Sequence, residues 1–154
     1  MGQLMGFYAG DADAIGAAFE DYESDGLADE KIVRAHADFS LHITPLDVDF
    51  LVAVIAEGTE GTSRPLLECL SRHVGGDPEA SSASVIDRDW VQMVARADDG
   101  RAPHLAAEWI KRVGAEYGET LEVSPEAVQA VGELIRLCQL AAQQGLDVVF
   151  TWSL

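Results

Sequence analysis

The sequence predicts an α+β fold, mostly helical, with one small sheet that takes in both ends of the chain. Three observations carry this. Residues 3–9 and 146–152 are short, apolar and aromatic; in the second, Leu146, Val148, Phe150 and Trp152 alternate with Asp147, Val149, Thr151 and Ser153. A third alternating segment, residues 36–43, places Ala37, Phe39, Leu41 and Ile43 on one face and His36, Asp38, Ser40 and His42 on the other. The rest divides into about six helical stretches with recognisable starts and stops. At 154 residues this is one domain, 1–154, large enough for a core without a disulfide or metal staple.

The elements follow in order. After the strand of residues 3–9, Asp11 caps a helix whose apolar positions are Ile15, Ala18, Phe19 and Tyr22. An acidic turn, residues 20–26, ends it and reads as a solvated loop, since it lacks the alternating ligands and closing Glu of a calcium loop. Residues 27–35 read as weakly helical, and the strand 36–43 comes next. Thr44, Pro45 and Asp47 then supply an N-cap hydroxyl, a proline at the first helical position and an acid three residues after the cap. The helix they open, residues 46–56, is apolar on nearly every side, so it reads as the central core helix, ending at Gly58.

Ser63 and Pro65 open a further helix with Leu66, Leu67, Leu70 and Val74, stopped by Gly75 and Gly76. His73 then sits at a helix C-terminus, where a cation suits the dipole. Residues 75–84 read as a surface loop. Ser84 with Asp87 has the capping-box spacing for a helix carrying Trp90, Val91 and Val94. Pro103 opens the next, with Leu105, Trp109, Ile110, Val113 and Tyr117 on one side and Gly118 at its end. Residues 120–123 read as a short extended piece. Ser124, Pro125 and Glu126 start the longest helix, with Val128, Val131, Ile135, Cys138 and Ala142 as its stripe and Gly145 as its C-cap. The three strands so identified lie too far apart in sequence for any two to form a hairpin. The apolar helices are expected to cover one sheet face.

Composition narrows the function. With 27 acidic residues against 10 basic, the net charge is −17, a field that repels phosphate backbones and anionic membranes and favours a basic protein partner. The same acidity, with its Ala, Gly, Asp and Arg usage, is also that of a soluble protein from a high-GC bacterium. No apolar run approaches the roughly 20 residues that span a bilayer, and residues 1–10 lack a signal-peptide pattern. Cys69 and Cys138 fall in apolar patterns as small buried hydrophobes rather than as a disulfide framework. A reducing cytoplasm is the expected compartment. Nothing in the sequence sets the oligomeric state.

Three pieces are similar to the YfbM-like family of small bacterial proteins of unknown function. They are the opening Met1-Gly2 with its apolar strand and a helix bearing Ile15 and Phe19; Leu46-Asp47-Val48-Asp49 with Gly58 closing the element; and the tail running from Leu134 through Gly145 to Val149 and Trp152. Together they cover about a third of the chain. The family's central helix commonly continues with a Trp and a His, where this chain has Val52 and Ala56, so any site those residues form is missing here. The resemblance implies an α+β fold and lends no activity.

The candidate chemistry gathers at His36, Asp38, Ser40 and His42. Residues two apart on one strand face lie about 6–7 Å apart, so His36 and Asp38 could share an ion, whereas His42 would stand about 13 Å from Asp38. That is half a metal site, and catalytic zinc takes three protein ligands. A polar strand face turned to solvent accounts for the same residues. His104, in a first helical turn, is expected to be exposed. No nucleophile elbow, phosphate loop, dinucleotide fingerprint or Cys-x-x-Cys occurs. Trp90, Trp109 and Trp152 sit at core positions; Trp152, the most exposed of them, is the candidate partner contact. The leading expectation is a non-enzymatic protein-binding module without a cofactor, of the kind an immunity protein represents when it neutralises a basic toxin. The alternatives are a metal-dependent hydrolase or a small-ligand sensor built on the face around His36 and Asp38.

Overall fold

The computed structural model describes residues 4–21, 26–59, 61–77 and 79–153. Among them lie five α-helices and one five-stranded antiparallel sheet. In chain order these are β1 (Leu4–Gly10), α1 (Ala12–Glu20), β2 (Val33–Asp38), α2 (Pro45–Thr59), β3 (Leu70–Asp77), β4 (Ser81–Ile86), α3 (Arg88–Ala95), α4 (Ala102–Tyr117), α5 (Pro125–Gln144) and β5 (Asp147–Ser153). The class is the expected one. The sheet is larger than the expected three strands, and the helices number one fewer.

The helix ends obey the local rules. Asp11 caps α1 by accepting from the Asp13 amide at 3.0 Å, and Ser124 caps α5 by accepting from Ala127 at 3.1 Å. Gly118 and Gly145 end α4 and α5 in the left-handed conformation, with φ of 68° and 66°. At α2 the capping box is half reversed. The Thr44 amide donates to Asp47 Oδ2 at 2.9 Å as the motif requires, but the Thr44 hydroxyl also donates to that oxygen.

The strand order is β2-β1-β5-β4-β3, so the two terminal strands pair with one another, Phe7 opposite Phe150, and β5 is central. Met5, Phe7 and Ala9 of β1, Ala37 of β2, and Val148 and Phe150 of β5 enter the main core. There α5 lies along β1 and β2, α3 and α4 pack on α5, and α2 packs on α3 and α4. Phe7 is the hub: its ring centroid is 5.2 Å from Phe39, 5.3 Å from Phe150 and 5.8 Å from Trp90. Helix α1 covers the opposite face, sealing Ile15 over Ala83 and Val149. Its backbone touches that of β3, for a Cβ on Gly16 would lie 2.2 Å from the Val74 carbonyl oxygen.

Several expectations need correction. Residues 27–35 are not a helix: a 3₁₀ turn, Gly26–Ala28, leads into β2, whose Val33 already pairs with Gly10. The third strand stops at Asp38 rather than at 43, because the Asp38 side chain accepts from the Ser40 amide at 2.9 Å and the Leu41 amide turns back to the Phe39 carbonyl. Residues 66–74 are not a helix either; after a 3₁₀ turn, Leu66–Cys69, the chain extends as β3. The expected loop 75–84 is instead the closed end of a β3–β4 hairpin, with Gly75, Gly76 and Asp77 of β3 paired to Ala83, Ser82 and Ser81 of β4, and Ser84 lies inside β4 rather than capping a helix. His73 is therefore an exposed strand residue, paired with Ser84. Residues 120–123 belong to no regular element. Helix α2 is a core helix, as its apolar run requires, but α5 is the helix laid on the sheet. Tyr22 and part of the acidic turn lie outside the described residues. No helix among those described is long and apolar enough to cross a membrane.

Candidate functional site

A cleft of about 440 Å³ lies between the turn that follows β2 and the connection from α4 to α5. Three elements build it. Residues 41–44 form one lip, the last two turns of α4 form the floor, and residues 119–124 form the other lip. The first lip stands away from the strand because His42 has φ of 59°, the one non-glycine residue in the left-handed region among those described. Such a position is uncommon outside glycine, and histidine is among the residues that tolerate it best.

Asp47 closes the inner end. It is 3% exposed, the one charged residue in the buried set, and its donors are neutral. Oδ2 accepts from the Thr44 amide at 2.9 Å and the Thr44 hydroxyl at 3.3 Å, and Oδ1 accepts from the Tyr117 hydroxyl at 2.8 Å. The Trp109 indole N–H donates to the Asp47 carbonyl oxygen at 2.8 Å and pins the main chain beneath. Buried side-chain oxygens require hydrogen-bond partners, and these donors supply them to both oxygens of Asp47. The same contact acts on the phenol: the hydrogen bond to Asp47, and then its charge, raise Tyr117 above the usual 10.0.

The rest of the lining is two-natured. Ile110, Val113 and Leu121 give apolar wall, while Glu119 and Glu122 add two carboxylates at the rim. No Lys or Arg lines the cleft. The ion pairs among the described residues join Arg64 to Asp87, Arg72 to Asp13, Arg112 to Glu57 and Arg136 to Asp99, and none reaches it. Exposed large apolar side chains also gather here. Tyr117 and Leu121 line the cleft, and Leu46 and Val123 are sequence neighbours of the lining residues Asp47 and Ser124.

The sequence-predicted face divides. His36, Asp38 and Ser40 remain together along a shallow groove of about 210 Å³, with Tyr8, Gly6 and Thr151. His42 lines the cleft instead, so the four residues are not one face. His36 stacks on Tyr8 with ring centroids 4.5 Å apart, and Ser40 Oγ accepts from the Met5 amide at 3.1 Å, so each has a structural task. Burial, and then the Asp38 charge, raise Tyr8, with a Thr151 hydrogen bond acting the other way. No three His, Cys, Asp or Glu side chains come together as a metal-ligand set among the described residues. Trp90 and Trp109 are buried, while Trp152 is half-buried on the helix side of β5, its indole nitrogen without a hydrogen-bond partner. His104 is exposed. Cys69 and Cys138 are buried free thiols, and burial raises both.

Sequence reasoning missed the cleft. Asp47 was legible as a helix-start acid and Tyr117 as one of a helix stripe, but 70 residues separate them. The available signal was the stretch 120–123, where Leu121 and Val123 alternate with Thr120 and Glu122 outside any helix or strand. No family model, curated protein or solved structure matches the chain.

Proposed function

We propose that this protein is a non-enzymatic binding module that docks a basic partner protein at the cleft between residues 41–44 and 119–124. One observation carries the reading: an apolar concavity bearing Asp47, Glu119 and Glu122 contains no Lys or Arg. A site of that composition complements a positive group carried on an apolar body, and the overall charge of −17 steers such a partner toward it. Exposed apolar side chains around the opening supply contact area that a monomeric surface otherwise tends to avoid.

Two double charge reversals of equal net change test this. Glu119→Lys with Glu122→Lys alters the cleft; Glu30→Lys with Asp89→Lys alters exposed positions away from it. A partner captured from the native host and identified is titrated against both. Its affinity is expected to fall about tenfold or more for the cleft pair and to change little for the other, since local complementarity rather than total charge sets specificity. Equal loss from both variants, or no partner at either low or physiological salt, contradicts the reading.

A further inference from the structure

We infer that the cleft is a lysine pocket, in which Asp47 receives one ammonium group of the basic partner and Tyr117 holds that group's place in the free protein. The inference rests on the binding-module reading and adds to it the group recognised.

The hydrogen bonds at Asp47 are unequal in how easily they can be exchanged. Oδ2 is held by the amide and hydroxyl of Thr44, three residues away in the same helix start, so those donors cannot leave without opening α2. Oδ1 is held by Tyr117 alone. That phenol belongs to the last residue of α4, is 55% exposed, and is followed by Gly118 in a turn conformation. Swinging it outward uncovers one carboxylate oxygen and disturbs no packed core. Meanwhile the Trp109 indole keeps the Asp47 main chain in place.

One free oxygen selects the cation. A guanidinium binds a carboxylate best through two parallel N–H donors to two oxygens, and Thr44 already occupies the second. An ammonium is a compact charge that needs one acceptor and can direct its other protons to water, while Glu119 and Glu122 add negative charge to the cleft lining. The stem of a lysine is a four-carbon chain that packs on apolar surface while its head stays polar, and Ile110, Val113 and Leu121 provide that surface. Because no Lys or Arg of the chain lines the cleft, Tyr117 is the group an entering ammonium displaces, and no side-chain ammonium or guanidinium of the chain stands in its way.

The test is an NMR titration of the full chain, ¹⁵N-labelled, with n-butylammonium chloride at fixed ionic strength, and with n-butylguanidinium and butan-1-ol for comparison. The Trp109 indole and Thr44 amide signals are expected to shift saturably with butylammonium, and the alcohol to bind about tenfold more weakly or not at all. Tyr117→Phe is expected to tighten butylammonium binding by about threefold or more, because no phenol then occupies Oδ1. Asp47→Asn is expected to abolish it. Should that variant not fold, the Tyr117→Phe shift and the ammonium-to-alcohol ratio decide. Butanol binding as well as butylammonium, butylguanidinium binding more tightly than it, or Tyr117→Phe weakening it would each overturn the lysine pocket. Failure of butylammonium to bind while Glu119→Lys with Glu122→Lys still releases the partner would remove the pocket and leave the binding module standing.

Discussion

Tyr117 and Tyr8 show how single contacts set side-chain chemistry here. Tyr117 is raised by its hydrogen bond to Asp47, whereas Tyr8 is raised first by burial. In both the folded state holds the phenolic proton more tightly than the unfolded chain, whose value is near 10.0. Their contribution to stability is therefore present below pH 10 and is lost as pH rises through the folded values. An ultraviolet titration should find two phenols ionising above pH 10, and Tyr117→Phe should remove one of those late steps. Ionisation of both at about 10.0 would show that neither the Tyr117–Asp47 hydrogen bond nor the burial of Tyr8 persists in solution. At this scale the sequence reveals one end of a contact. Thr44-Pro45 with Asp47 declares a helix start, and Oδ2 serves it, but nothing near Asp47 announces that Oδ1 faces a tyrosine from another helix.

Among the elements, those with a single apolar face and strong caps were legible, and those without were not. The strands β1 and β5 and the helices α1, α2, α4 and α5 follow from spacing, caps and glycine stops. The β3–β4 hairpin does not. Leu66, Leu67, Leu70 and Val74 fall at helical spacing by coincidence. In β4, Ser82 and Ser84 sit opposite Trp152 and Phe150 on one face and Ser81 opposite Ser153 on the other, so serines occupy both faces and mask the alternation. Two helix glycines differ in what an added Cβ would meet, which distinguishes their substitutions. Gly16→Ala drives a Cβ into the Val74 carbonyl oxygen at 2.2 Å, where backbone meets backbone. It should cost at least about 2 kcal/mol in denaturant unfolding by forcing α1 off the sheet. Gly132→Ala in α5 meets the Arg136 guanidinium at 3.1 Å, the far end of an exposed side chain that can turn aside. It should raise stability by up to about 1 kcal/mol through helix propensity. Equal effects of the two would refute the α1–β3 contact.

The whole molecule joins chain ends to charge. The central strand β5 pairs with β1, so the sheet closes over a sequence separation of more than 130 residues. That arrangement packs α5, α3 and α4 over one face and leaves the α4–α5 connection free to form a lip of the cleft. Net charge of −17 bears on encounter rather than on the fold, and its effect weakens beyond about 8 Å at physiological ionic strength. On the proposed reading, the carboxylates of the cleft lining select what the overall charge attracts. The most direct measurement is chemical-shift mapping of the full chain against a lysine-rich amphipathic peptide at physiological salt. Shifts should concentrate at Thr44, Trp109, Tyr117 and Leu121, leaving His36, Asp38 and Ser40 unmoved. Shifts centred on the His36 groove, or spread evenly over the acidic surface, would contradict the account.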